Sequence, residues 1–261
     1  LAAVPIYPIP GFAEPVSSLS HLVGAGAFAL AAAFLLRRGR GSASRLAYLS
    51  VYVFSGIFLL SMSGVYHMLT RGTAGWMVLE RLDHAAIFVL IAGTYTPVHG
   101  ILFRGVGRWG PLLLIWTFAA TAITLKTIFF DDLSETLSLS LYLGMGWIGI
   151  FSAYVMWSRY GTRFLEPLIW GALAYTGSAV LEFLRWPILW PGVVNPHELF
   201  HLGVLLGISC HWLFIFQFAD GTEPARLDAR STPVPPRPSI NETGPRPSAA
   251  GVRLDPSETA E

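Results

Sequence analysis

The chain has 261 residues, 53% of them hydrophobic and 13% charged, with a formal net charge of +1. An average soluble domain carries roughly 25% charged residues, and the mean hydropathy here is +0.55; too little charge is present to cover a water-facing surface, and lipid is the implied solvent. The near-neutral balance leaves no basic face for nucleic acid, and the single cysteine, Cys210, excludes an internal disulfide and any cysteine zinc cluster.

Seven apolar runs approach the roughly 20 residues that a helix needs to cross a bilayer. In chain order they cover 19–36, 46–68, 83–103, 110–130, 138–157, 166–186 and 197–218. They are too long and too continuously apolar for barrel strands, and only helices or closed barrels satisfy the backbone in hydrocarbon. The expected fold is all-α: a polytopic membrane protein, with an N-terminal arm (1–18), a seven-transmembrane helix bundle (19–218) and a tail (219–261). The first run carries Gly24, Ala25, Gly26, Ala27 and Ala31, small residues that admit close helix contact. Trp76, Trp109, Trp157, Trp186 and Trp190 sit near run ends, as interfacial aromatics do. No basic stretch precedes the first run, so no cleavable signal is expected. The tail holds eight of the eighteen prolines and no aromatic residue, a composition that cannot bury enough apolar surface to offset ordering entropy. Disorder is expected there, and the sequon Asn241-Glu242-Thr243 has no meaning in a cytosolic tail.

Because successive spans reverse direction, odd spans start on one membrane side, A, and even spans end there. His67 ends the second run, Asp83 starts the third, and His197 and His201 start the seventh, so all four share side A at similar depth. His99 ends the third run on side B and cannot join them. His197 and His201 are four apart and share a helix face, which lets both imidazoles reach one ion, and His67 adds a third nitrogen. Three protein ligands with an open fourth position is the arrangement of a catalytic zinc site. Ser63 lies one turn deeper than His67 on the same face, and Asp83 is placed to accept a hydrogen bond from water at the ion or from a ligand imidazole. The competing reading is that membrane histidines hydrogen-bond between helices, and it is the preferred one for His21, His99 and His211.

Two further patterns have bland alternatives. His197-Glu198-Leu199-Phe200-His201 matches H-E-x-x-H, the zinc metalloprotease signature with Glu198 as base, but it opens a helix, where a first-turn acid is favoured by the dipole alone. Gly144-Met145-Gly146-Trp147-Ile148-Gly149 spells G-x-G-x-x-G; with no strand before it, close helix packing is expected in place of dinucleotide binding.

The stretches Ser63-Gly64-Val65-Tyr66-His67, Arg81-Leu82-Asp83-His84, Ile91-Ala92-Gly93-Thr94-Tyr95-Thr96-Pro97 and His197-Glu198-Leu199-Phe200-His201 resemble, in order, the hemolysin III family, the bacterial branch of the progestin and adiponectin receptor superfamily. Glu14 followed by His21, and Cys210-His211, extend the resemblance over about residues 14–218. It implies a seven-helix fold with zinc held by His67, His197 and His201. Asp83 and Ser63 fall on that pattern's aspartate and serine. The wider superfamily includes alkaline ceramidases, which implies hydrolysis of a lipid amide, with a membrane lipid as substrate.

The expected activity is therefore zinc-dependent hydrolysis of a lipid amide or ester, with Asp83 and Ser63 as catalytic residues, in a bacterial plasma membrane. A receptor or sensor with structural zinc, a cytolytic or pore-forming protein and an intramembrane metalloprotease remain as alternatives. Side B loops carry Arg37, Arg38, Arg40, Arg45, Arg104, Arg108, Arg159 and Arg163, against Arg71, Arg81, Lys126 and Arg185 on side A. The positive-inside rule puts side B in the cytoplasm, whereas the resemblance to adiponectin receptors implies the reverse.

Overall fold

The computed structural model describes residues 6–224. The expected disorder and the sequon of the tail fall mostly on 225–261, outside the described residues, and the described part lies within one unit, Leu1–Asp228. Its helices are α1 (Pro15–Arg38), α2 (Ala43–Tyr66), α3 (Ala74–Leu102), α4 (Val106–Ile128), α5 (Glu135–Trp147), α6 (Ile150–Tyr160), α7 (Thr162–Phe183) and α8 (Pro196–Phe216). The short pair α5 and α6 forms one crossing, Glu135–Tyr160, so among the described residues seven segments are long and apolar enough to cross a membrane.

The expected spans are all present, with shifted edges. The largest shift is at α3, which begins at Ala74, whereas the apolar run begins at residue 83. Thr73 explains it: its hydroxyl accepts the Trp76 N–H at 3.2 Å, a cap of about 1 kcal/mol that draws the charged residues Glu80 and Arg81 into helix. Asp83 consequently lies roughly two and a half turns inside α3, where sequence reasoning put it at the helix start. Ser42 and Ser134 cap α2 and α5 in the same way, accepting from Arg45 N and Leu137 N.

Helices α1, α2, α3, α7 and α8 carry the main core. Buried polar groups tie them together: Tyr52 on α2 donates to the Ile208 carbonyl on α8 at 3.1 Å, and Ser18 on α1 donates to the Gly64 carbonyl on α2 at 2.7 Å. Small residues allow the closest approaches. A Cβ at Gly203 would lie 2.2 Å from Ser178 of α7, and one at Gly24 would lie 2.5 Å from a Leu205 methyl of α8. Gly26 meets nothing within 4 Å, so the small-residue stripe of α1 is only partly a contact face.

Two features position the site. The N-terminal arm folds across the side A end of the bundle, with Tyr7 N–H on the Gly192 carbonyl (3.0 Å), Ala13 N–H on Met68 O (3.1 Å) and Glu14 N–H on His67 O (3.0 Å). The Glu135–Tyr160 crossing is the least buried of the seven, and a cavity of about 800 Å3 runs along the bundle beside it, lined by residues of both α5 and α6.

Overpacking a filled helix contact costs about 1–3 kcal/mol. Gly203→Val is therefore expected to lower the thermal midpoint in detergent, while Gly26→Ala leaves it unchanged or raises it; size-exclusion-monitored heating of the two variants checks this.

Candidate metal centre

The seventh crossing opens with Asn195 and Pro196. Pro196 at the first helical position presets φ, and the Asn195 N–H donates to Glu198 Oε2 at 2.9 Å. The other oxygen, Glu198 Oε1, accepts from Ser17 Oγ of α1 at 3.0 Å. Both carboxylate oxygens are thus engaged in fixing the start of α8 against α1. Glu198 is buried and does not line the cavity, an arrangement that suits a helix cap and not the base of a protease.

The same pinning places His197 and His201 on the first two turns of α8, facing His67 at the C-terminal cap of α2. Their Nε2 atoms converge: His197 to His67 at 3.3 Å, and His201 to His197 at 3.1 Å. One ligand atom from each of the three lies within 4.8 Å of the others. Nitrogens bound at about 2.0–2.1 Å around a tetrahedral ion sit about 3.4 Å apart, close to the spacing of the two nearest pairs.

His67 Nδ1 lies 2.6 Å from Glu14 Oε2, and His197 Nδ1 lies 3.4 Å from Glu182 Oε1. A carboxylate only accepts, so each Nδ1 carries a hydrogen, and in the neutral ring each Nε2 presents a lone pair. Between two neutral rings those lone pairs face each other at 3.3 Å, an approach that either a cation between them or a proton on one Nε2 relieves. The residues present therefore fit a three-histidine metal site, with carboxylates behind two ligands as outer partners that orient the rings.

Each of those carboxylates has its own arginine. Arg71 donates to Glu14 Oε1 through Nε (3.1 Å) and Nη2 (2.7 Å), and Arg185 donates to Glu182 Oε1 at 2.5 Å and to Glu135 at 2.7 Å. Burial pushes the Glu14 carboxyl up, but the His67 ring and Arg71 more than offset that and hold it down at about 2. Hydrogen bonding to Glu14 raises Arg71 in turn. The third ligand, His201, is stacked on His21 with centroids 4.0 Å apart, and His21 Nε2 lies 3.4 Å from the His201 carbonyl. His21 thus has the interhelical role expected of it.

Ser63, buried on α2 one turn before His67, and Asp83 on α3 line the same cavity as His197 and His201. Among the described hydrogen bonds, Asp83 makes none to a ligand imidazole; that position is filled by Glu14 and Glu182. Sequence reasoning gave Glu14 no role beyond a family pattern and Glu182 none at all. The signal was present for Glu182, an ionisable residue near the side A end of an apolar span. For Glu14 it was faint, because only the folded arm brings that residue to His67. His99 lies at the other end of α3, as expected, and His211 packs edge-on against Tyr175. The glycine pattern 144–149 is not a packing stripe: Gly144 and Gly146 meet open space, and only Gly149 makes a close approach.

A family model described as Haemolysin-III related matches residues 12–212. The chain belongs to that family. It is 31% identical over 196 residues to Hemolysin-3 of Bacillus cereus, covering 74% of this chain and 86% of that protein. It is 28% identical over 196 residues to the Hemolysin-3 homolog of Bacillus subtilis (strain 168), covering 74% and 88%. The matched region contains the arm residue Glu14 and all three histidines, so the whole site lies within the family domain.

Removing an outer partner of a metal ligand typically costs 10–100-fold in affinity. Glu14→Gln is expected to weaken metal binding by about that factor while preserving the fold. Competition with a chelator of known affinity, read by metal analysis of the purified protein, measures it.

Proposed function

We propose that this chain is a zinc-dependent membrane hydrolase acting on a lipid amide or ester. The observation that carries the reading is the convergence of His67, His197 and His201 nitrogens beside a large, mostly apolar cavity that also receives Asp83 and Ser63. The zinc choice follows from an all-imidazole ligand set with room for a fourth ligand and from the resemblance to zinc-holding adiponectin receptors. His67, His197 and His201 hold the ion, with Glu14 and Glu182 fixing two of the rings. When bound, zinc supplies Lewis acidity that polarises a carbonyl and acidifies water.

The remaining work falls to the chain. Asp83 takes the proton of the attacking water as general base and returns it to the leaving amine or alkoxide. Ser63 donates a hydrogen bond to the developing oxyanion. Leu59, Ile87, Ile91, Phe200 and Val204 line the cavity and hold the acyl chain by apolar contact, excluding bulk water from the carbonyl. The lipid reaches the site from the bilayer, past the sparsely packed Glu135–Tyr160 crossing. A helical span set, not a barrel, supports placement in a bacterial plasma membrane.

The test is metal content together with product formation from lipid amides and esters, followed by mass spectrometry. His67→Ala is expected to lose both metal and turnover. Asp83→Ala is expected to keep its metal and lose about 10²–10⁴-fold in rate. Full rate in Asp83→Ala removes the proposed base. A metal-loaded wild type that forms no product favours a receptor with structural zinc. Liposome leakage that persists without the three histidines favours the lytic reading that the relatives' names carry.

A further inference from the structure

The interruption of the fifth crossing is supported by its neighbours. Tyr95 of α3 donates to the carbonyls of Met145 (3.2 Å) and Gly146 (3.0 Å), which stand just before the break at Ile148 and Gly149. A Cβ at Gly149 would lie 2.7 Å from the Tyr95 hydroxyl. The consequence is that a new helix, α6, starts within the crossing, with Ser152 in its first turn. The first-turn amides of α6 have no acceptor inside that helix.

Ser152 Oγ lies 3.0 Å from His99 Nε2, and His99 Nδ1 lies 2.9 Å from the Gly107 carbonyl. A carbonyl only accepts, so Nδ1 carries the proton, Nε2 presents its lone pair, and Ser152 donates to it. The His99 ring is buried, with Phe103 stacked at 4.7 Å and Tyr95 at 5.9 Å between centroids. A hydroxyl bonded to a histidine whose other nitrogen is oriented by a third group is the arrangement of an activated nucleophile. Both Ser152 and His99 line the long cavity. His99 is sixteen residues beyond Asp83 on α3, roughly 24 Å along the helix, so the pair stands well apart from the metal centre. The buried Tyr175 hydroxyl, which has no hydrogen-bond partner among the described residues, lines the same cavity. A mere tie between α3 and α6 needs neither the cavity wall nor the fixed tautomer.

We propose that Ser152 is a second reactive centre of this protein, a nucleophile with His99 as its general base, that accepts the acyl group of a lipid ester. Ser152 Oγ attacks the ester carbonyl carbon, and its proton passes to His99 Nε2. The bond from the carbonyl carbon to the leaving oxygen breaks, and His99 returns the proton to the departing alkoxide. The products are O-acyl-Ser152, the free alcohol and a neutral His99. Water then cleaves the acyl-serine by the same proton path, releasing the fatty acid.

The test uses the full-length protein in detergent and an alkyl fluorophosphonate as probe. Ser152 Oγ forms the bond to phosphorus, the P–F bond breaks, and the proton leaves with fluoride by way of His99. The expected result is a single adduct mapped to Ser152 by peptide mass spectrometry. The adduct is expected to be absent in Ser152→Ala and formed at least tenfold more slowly in His99→Gln, with both variants eluting as the wild type does in size exclusion. An unlabelled wild type, a label on Ser63 or another residue, or equal labelling of His99→Gln overturns the proposal. Mapping on the wild type decides the matter even where a variant does not fold. Metal content measured on the same sample reports separately on the histidine centre, so the two readings fail independently.

Discussion

Lone pairs of imidazoles aimed at one another from two helices are the constraint on which the rest of the site depends. His67 and His197 are each forced into this state by an acceptor on the opposite nitrogen, Glu14 for one and Glu182 for the other. Each acceptor is in turn held by an arginine that lies outside the hydrocarbon-spanning helices, Arg71 or Arg185. The order of causes runs inward from the aqueous edge: arginine fixes carboxylate, carboxylate orients the ring, and the oriented rings turn their Nε2 atoms toward one point that favours positive charge. His201, stacked on His21, adds the third nitrogen without needing a carboxylate of its own.

The bundle itself was legible from the sequence, because crossing a bilayer demands long apolar helices and little else satisfies the backbone. Parity then brought His67, His197 and His201 to one side, since the direction of each span is fixed once the spans are counted. Less was legible where local chemistry competes with hydropathy. The Thr73 cap extended α3 into charged sequence and moved Asp83 inside the helix. A single apolar run, 138–157, gave no sign that it would contain two helices, because the Gly149 break is stabilised from outside by Tyr95 and leaves hydropathy unchanged. Glu14 gave only a faint signal as a site residue for a similar reason: its partner is fifty-three positions away and is reached by an arm with no periodic signal.

The cavity connects these parts into one arrangement. At one end it is walled by the histidine centre with Ser63 and Asp83, and toward the other by His99 and Ser152. It persists because the Glu135–Tyr160 crossing contributes little buried surface and so does not close over the space between α3 and α7. A continuous, tightly seated helix at this fifth crossing would have filled it. The interruption at Gly149 and the sparse packing of that crossing are therefore two aspects of one design, in which an element gives up core contacts and leaves room inside the bundle.

The arm that delivers Glu14 is fastened by backbone hydrogen bonds at Tyr7, Ala13 and Glu14 rather than by a buried helix. Its attachment belongs to the water-facing side of the protein, while the ring it steers belongs to the buried three-histidine cluster. Whatever grips or cuts that strap from solution gains leverage over the His67 ring without entering the lipid, which makes a water-facing segment of the chain a handle on a buried histidine cluster.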